Sequence, residues 1–387
     1  MRSKLARRLL LLPLVGLAAL ALASCAQPLE SPGKIGQIEL VGSTTQDGWR
    51  FDQYRNLAYP CAISGYQTFV IGTKVGSDDT AVRPLLARMR GGGVGWFDEQ
   101  GNPRPTAGVK SQESAATSIR FITDSGLSAR LRADAAGFRF VSVSYCSHDI
   151  YAGGDQEDPY NPNTTPDGKQ RTVNGLFATK AAIAYTKAHY PTSKVILDGT
   201  SAGSAGVFNV AWSMQAEGDP PAGAIADSGE VNTLWERASN EQGVCTDDPR
   251  GDDALALIAA RLHPALTRPK NEPDLLIARG DLKVPILHTW SSADPNVCGS
   301  APMTCPLRDG STKTLGSADC AHEPMRIAVA GAGPKFRNLR LCVSPAASPG
   351  SCATHVVTTK NGTNTDLAEP ADYLSVVVNW IHARLAD

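Results

Sequence analysis

Residues 195–212 read VILDGTSAGSAGVFNVAW. Val195, Ile196 and Leu197 make a short apolar, β-favouring run. It passes directly into Gly199-Thr200-Ser201-Ala202-Gly203, which has the form G-x-S-x-G. A serine on a sharp turn from strand to helix needs a strained backbone. Small residues beside it remove the clashes that such a turn creates. The turn would lift the Ser201 hydroxyl above the sheet, at the positive end of the helix that follows. Ala202, Ser204, Ala205 and Gly206 keep that helix thin enough to press on the strands. Ser201 is therefore the candidate nucleophile; the structural alternative is a Gly/Ser turn that only packs helix on sheet.

Strand-like runs lie at 37–42, 67–72, 84–90, 138–145, 194–198, 222–226, 284–290 and 339–343. Helical patterns fall between several of them. Residues 171–190 carry Val173, Leu176, Phe177, Ile183 and Ala184 at helical spacing, with Pro191 closing the run. A second helix is expected over 201–217, and a third at the C-terminus, beginning near Pro370 with Leu374, Val377, Val378 and Ile381 on one stripe. Alternation of this kind predicts an α/β fold, a mostly parallel sheet with helices on both faces. Ligands of such sheets bind at the carboxyl ends of the strands. Residues 152–170, polar and rich in turn formers, read as a long surface loop.

The N-terminus reads as an export signal. Arg2, Lys4, Arg7 and Arg8 precede an apolar run that is too short to span a bilayer. Leu22-Ala23-Ser24-Cys25 then resembles a bacterial lipobox. The expected organisation is a lipoprotein signal over 1–24, a lipidated Cys25 with a flexible tether to residue 35, and one domain over 36–387. The protein is thus expected outside the cytoplasm of a bacterium, held to a membrane by its N-terminal lipid. Removal of 1–24 takes four positive charges and no negative ones, moving the formal charge from −1 to −5. A mildly acidic chain has no electrostatic case for nucleic acid. Of nine cysteines, eight remain if Cys25 carries lipid. An even number in an exported chain suggests disulfides, with no pairing assignable. No Cys/His group has convincing zinc spacing, and neither a metal nor a cofactor is expected.

A serine hydroxyl needs a base, and the base an orienting acid. In α/β-hydrolases they follow in the order Ser, acid, His. His148 and His189 precede Ser201. His263 sits in a polar helix-like segment, His288 inside the apolar VPILHTW, and His382 in the terminal helix. His355, which follows a strand-like run and a cysteine, is the favoured base, with His322 the runner-up. Asp294, directly after a later strand, is the favoured acid. Asp227, after an earlier strand, is the alternative and suits a loop-ordering carboxylate. Oxyanion donors are expected from the Ala202 N–H and from the glycine turn in LLARMRGGGVGWFDE. Trp96 and Phe97 beyond it suit either an acyl pocket or the core.

Taken together, RGGGVGWFDE, SYCSHDIYAGG, LDGTSAGSAG, ADSG at 226–229 and SCATHVV resemble the pectin acetylesterase family, which includes the Notum-type carboxylesterases. The likeness runs in the same order over roughly residues 60–360. It implies an α/β-hydrolase that removes acyl groups from carbohydrate or, in Notum, from a lipid-modified protein. By position it implies Ser201 as nucleophile, Asp294 as acid, His355 as base and Gly92 and Gly93 as oxyanion donors. The chain departs from the pattern in two places. It lacks the family's cysteine after the Gly-Trp turn, so that disulfide is not expected. It also has His148 where a small residue is common, which would bring a second imidazole near the cleft. Tyr145, Cys146 and Asp149 are expected to shape the wall under the oxyanion loop. The expected substrate is an acylated carbohydrate or another small ester. Two other readings remain: an inactive polysaccharide-binding protein on a hydrolase scaffold, and an amidase or peptidase with the same residues.

Overall fold

The computed structural model describes residues 29–105, 110–229, 232–245, 252–341, 353–359, 363–364 and 371–387. The signal segment, Cys25, Cys342 and Cys352 lie outside the described residues.

Nine strands form the central sheet: β1 (Ile38–Gln46), β2 (Trp49–Pro60), β3 (Tyr66–Lys74), β4 (Arg83–Met89), β5 (Arg139–Val143), β6 (Thr192–Thr200), β7 (Gly223–Asp227), β8 (Ile286–Ser291) and β9 (Arg337–Leu341). Their spatial order is β1-β2-β3-β5-β4-β6-β7-β8-β9. From β5 to β9 every neighbouring pair is parallel. The strands from β1 to β3 add an antiparallel edge, joined to β5.

Strand side chains alternate between the two faces with period two. On β6, Val195 and Leu197 enter one apolar cluster and Ile196 the other; on β4, Leu85, Ala87 and Met89 oppose Leu86. The first cluster is closed by α3 (Gly175–His189), α4 (Ala202–Ala216), α7 (Pro273–Ala278) and α8 (Ser317–Gly331). The second is closed by α1 (Ala115–Thr123), α2 (Gly126–Arg132) and α9 (Tyr373–Ala386). Helices therefore cover both faces, as the alternation of elements predicts. Two more helices, α5 (Thr233–Gln242) and α6 (Asp252–Ala260), lie outside these two layers. A separate hairpin, 302–306 with 312–316, packs with α5 and α8 in a satellite cluster around Cys305–Cys320. The other disulfides are Cys61–Cys146 and Cys245–Cys298.

Two expectations need correction. The tether expected to be flexible is docked over its described part. Leu29 is buried in the core, and its carbonyl accepts from Lys180 Nζ at 3.2 Å. The Lys34 N–H donates to Tyr59 Oη at 2.8 Å, and the Lys34 carbonyl accepts from Asn56 Nδ2 at 2.8 Å. Lys180 on α3, which also donates to Ser213 Oγ and pairs with Glu217, holds this segment down through the Leu29 and Ser31 carbonyls. The 152–170 loop is also more than surface. Ala152, Asp158 and Asn161 are buried, and Asp158 makes an ion pair at 2.6 Å with the fully buried Arg261. Its polar composition serves a buried polar network rather than solvent.

Candidate active site

Ser201 stands between β6 and α4 with φ 54° and ψ −123°. A positive φ is rare for a residue with a Cβ and is held only where surroundings impose it. Its N–H donates to the Asp227 carbonyl at the end of β7, at 2.8 Å. The glycines fit for steric reasons. A Cβ on Gly199 would strike the Gly203 backbone, one on Gly203 the Met89 carbonyl, and one on Gly229 the Ser201 backbone. Small residues thus let β4, β6 and the first turn of α4 meet, and the Ser201 hydroxyl sits at the helix N-terminus.

Asp294 and His355 are together. His355 Nδ1 lies 2.8 Å from Asp294 Oδ2, with the carboxylate buried and the imidazole partly exposed. The other Asp294 oxygen accepts the Asn296 N–H at 2.9 Å, which fixes the carboxylate plane. Asp294 follows β8, and His355 lies beyond β9.

Asp227 holds the parts in register. Its carboxylate is fully buried and accepts the Val357 N–H at 2.9 Å, the Thr358 N–H at 2.7 Å and Thr358 Oγ1 at 2.6 Å. It also accepts from Ser228 Oγ and Thr289 Oγ1. One residue therefore grips the Ser201 backbone by its carbonyl and the His355 loop by its side chain. It is fully occupied as a loop-ordering group.

His322 lies in a buried pair of imidazoles. Asn338 Nδ2 donates to the Arg326 carbonyl at 2.9 Å, so Asn338 Oδ1 faces His288 Nδ1, 3.0 Å away. This assigns the proton to His288 Nδ1, and His288 Nε2 then accepts from His322 Nδ1 at 2.9 Å. Trp290 stacks on both rings. Burial pushes the His288 pKa down to about 4. Burial, then the neighbouring His288 and His355, hold His322 well below the usual imidazole range. Both are neutral at pH 7.

The glycine turn lies over the serine. A Cβ on Gly91 would come within 2.5 Å of Ser201 Cβ and 3.1 Å of its Oγ. The sequence reading placed the donors at Gly92 and Gly93 and passed over Gly91, the glycine that touches the serine; its position beside them was the available signal. Gly92 has φ 148° and Gly93 φ 71°. The turn's carbonyls are drawn back into the wall. Gly91 O accepts from Arg90 Nη1 at 2.8 Å and Gly93 O from Tyr145 Oη at 2.8 Å. In a trans peptide the N–H points opposite to the C=O of the same unit. Tethering the Gly91 carbonyl therefore turns the Gly92 N–H away from the wall.

That wall is a buried polar layer. Arg90 is paired with Glu113, whose carboxylate also accepts the Tyr145 N–H at 3.2 Å. Tyr151 Oη donates to the Arg90 carbonyl at 3.0 Å. Tyr145 and Cys146 belong to this layer, Cys146 through its bridge to Cys61. Asp149 caps the start of α3, accepting the Gly175 N–H at 2.7 Å. His148 is fully buried and stacks on Tyr145 at 4.6 Å. Burial, helped by Lys110, Arg90 and Arg261, pushes its pKa down to about 3. It lies under the turn, not in the cleft. Phe97 is buried with Ala62 in a small apolar cluster, which places it in the interior. Arg90, Glu113 and Tyr151 carried no sequence signal, because each acts through a contact distant in the chain.

No family model matches the sequence, and no curated protein matches it. Solved structures do resemble it. Drosophila Notum, described as a Wnt deacylase, superposes with a TM-score of 0.50 at 14% identity, over 90% of this chain and 95% of that one. The fold is that of the α/β-hydrolases. An S-formylglutathione hydrolase from Agrobacterium tumefaciens gives 0.49 at 12% identity, covering 90% of this chain and 99% of that one. Likeness at such identity is a likeness of fold. In this fold the strand leading to Ser201 is central, and Asp294 and His355 follow the next strands but one and two.

Proposed function

We propose that this α/β-hydrolase is a serine ester hydrolase with Ser201 as nucleophile, His355 as base and Asp294 as orienting acid. One observation carries the reading. A serine strained to φ 54° at a helix N-terminus shares the Asp227 anchor with the loop bearing a carboxylate-paired imidazole, at 2.8 Å. In the proposed cycle Asp294 holds the proton on His355 Nδ1, leaving Nε2 to take the Ser201 proton. Ser201 Oγ bonds to the ester carbonyl carbon. The N–H groups of Ala202, Gly92 and Gly93 receive the oxyanion, aided by the α4 dipole. The ester C–O bond breaks, and His355 returns the proton to the departing alcohol. Water, deprotonated by His355, then releases the acid and restores Ser201. No cofactor enters these steps. Among the runner-up groups, Asp227 is committed to five other donors and His322 Nδ1 to His288, which favours Asp294 and His355.

The finer reading follows the family resemblance: a short, acetyl-like acyl group on a carbohydrate such as pectin, in a protein exported and anchored through lipid on Cys25. Small acyl groups are favoured because the sequence has no long apolar lid. Hydrolysis of p-nitrophenyl acetate by wild type and Ser201→Ala tests the chemistry. A fall of about 10³-fold or more is expected; equal rates would end the proposal. An acetyl ester should outpace an octanoyl ester, and a matched amide should react far more slowly if the enzyme is not an amidase. Loss of membrane association in Cys25→Ala is the expected outcome for the anchor.

A further inference from the structure

A second cleft, of about 430 Å³, opens at the opposite end of the sheet. Arg83 begins β4 and Arg139 begins β5, whereas the far end of β4 leads to Gly91 and Ser201. At about 3.3 Å per residue the two ends are some 25 Å apart. Four cationic side chains line the cleft, Lys74, Arg83, Arg132 and Arg139, against one acid, Asp134. That acid is occupied. Asp134 Oδ1 accepts the Ala136 N–H at 2.8 Å and Oδ2 faces His382 Nε2 at 2.9 Å. The nearby Asp79 carboxylate is taken by Arg50 at 3.0 Å.

Among the described residues, none of the four cations pairs with a carboxylate. The guanidinium groups reach backbone carbonyls, Arg83 that of Gly137 at 3.3 Å, Arg132 that of Thr123 at 3.2 Å, and Arg139 those of Pro191 at 3.3 Å and Asp79 at 3.4 Å, and Arg139 also lies over the Tyr190 ring, 4.5 Å from its centroid. Four buried polar atoms here have no partner: Arg83 Nε, Arg132 Nε, Arg139 Nε and Thr73 Oγ1. The backbone makes room for this arrangement. Gly137 has φ 67°, and a Cβ there would collide with Arg83 Nη1. Burial, and then the charges of Arg83 and Arg50, depress the Arg139 pKa against the pull of Asp79 and Tyr190. A bound anion would reverse that penalty.

We propose that this cleft binds a compact, multiply charged oxyanion of the phosphate or phosphomonoester kind. The Nε–H and Nη–H of a guanidinium form a planar fork that matches two oxygens of one phosphate, and three guanidinium groups with unpartnered Nε atoms line this cleft. A chain of uronate sugars spreads single charges too widely for a cleft this small. The site is separate from the Ser201 chemistry and stands whether or not the proposed esterase reading does.

Titration calorimetry with inorganic phosphate, at constant ionic strength in chloride, tests the site. Saturable binding is expected in the wild type, weakened at least tenfold in Arg83→Gln/Arg132→Gln. The exposed Lys74→Gln should weaken it several-fold with Tm unchanged, which covers the case in which the double variant folds poorly. Hydrolysis of a neutral ester should be the same in all three proteins. Vesicles of phosphatidylcholine with and without phosphatidic acid separate the sources: binding only to vesicles containing phosphatidic acid assigns a lipid head group, and binding to free phosphate assigns a soluble ester. Absence of saturable binding in both formats, equal affinity in wild type and Lys74→Gln, or tighter binding of oligogalacturonate than of phosphate would each overturn the proposal.

Discussion

Gly91 leaves no room for a side chain. An added Cβ would lie 2.5 Å from Ser201 Cβ, so either the serine or the turn must move. Catalysis tolerates little misplacement of the reacting atom. Gly91→Ala is expected to lower kcat about 10²-fold while the protein stays folded; an unchanged kcat would show that the turn yields without cost. The two carboxylates make a contrasting pair. Asp294→Asn can still accept the Asn296 N–H but no longer stabilises the His355 tautomer and charge, so kcat should fall about 10³–10⁴-fold with Tm nearly constant. Asp227→Asn puts an amide among donors that need an acceptor. Bonds to a charged group are worth about 1.5–3 kcal/mol each. That variant should lose both Tm and kcat, and a loss of kcat alone would contradict the anchoring role.

Eight of the nine central strands answer to runs visible in the sequence: the inner strands are apolar because they are buried on both faces, whereas the edge strand β1 is largely exposed. The exception is β2, WRFDQYRNLAYP, which lies between β1 and β3 and whose polar residues find partners there: Arg50 and Asp52 pair with each other, and Asn56 holds Lys34. The α3 and α4 patterns were legible to within a few residues, since Pro191 and the Gly/Ser turn mark real boundaries. The site was legible where it sits at strand ends, as with Ser201 and Asp294. Its support was not, because Arg90 with Glu113, and Asp227 with Thr358, are meetings of segments far apart in the chain. Cysteine pairing was equally hidden. The Cys61–Cys146 bridge closes a separation of 85 residues and ties the turn after β2 to the wall under the oxyanion turn. Cys61→Ser/Cys146→Ser should cost about 2–5 kcal/mol in denaturant unfolding; a smaller loss than that would mean the wall is held by Arg90 and Arg261 alone.

Across the molecule, three buried imidazoles set an acid limit. An unfolded histidine binds a proton near pH 6.5. Folded His148 and His288 resist until about pH 3 and 4, and His322 also stays well below its usual range. Their contribution is intact above pH 6.5 and is lost as pH falls through the folded values. Burial acts in the opposite sense on Asp198, raised to about 6, and on Asp149, also raised. These groups favour the fold at low pH and lose that contribution as pH rises through the folded values. Taken alone, His288 makes unfolding near pH 5 take up about one proton, which corresponds to about 1.4 kcal/mol of stability per pH unit between pH 6.5 and 4. Equal proton uptake on unfolding in wild type and His288→Gln at pH 5 would contradict this. His288→Gln should reduce the proton uptake by about one.

The docked stretch at Leu29–Lys34 bears on where such a protein would work. Leu29 is four residue steps on from Cys25, a reach of about 14 Å when fully extended. Leu29 bonds to Ser213, near the end of α4, while Ser201 stands at its beginning, about 18 Å away along the helix axis. With an acyl chain on Cys25, the body would rest almost on the bilayer with its working mouth turned outward. It would meet polymers arriving from the surroundings and leave the lipids beneath it untouched.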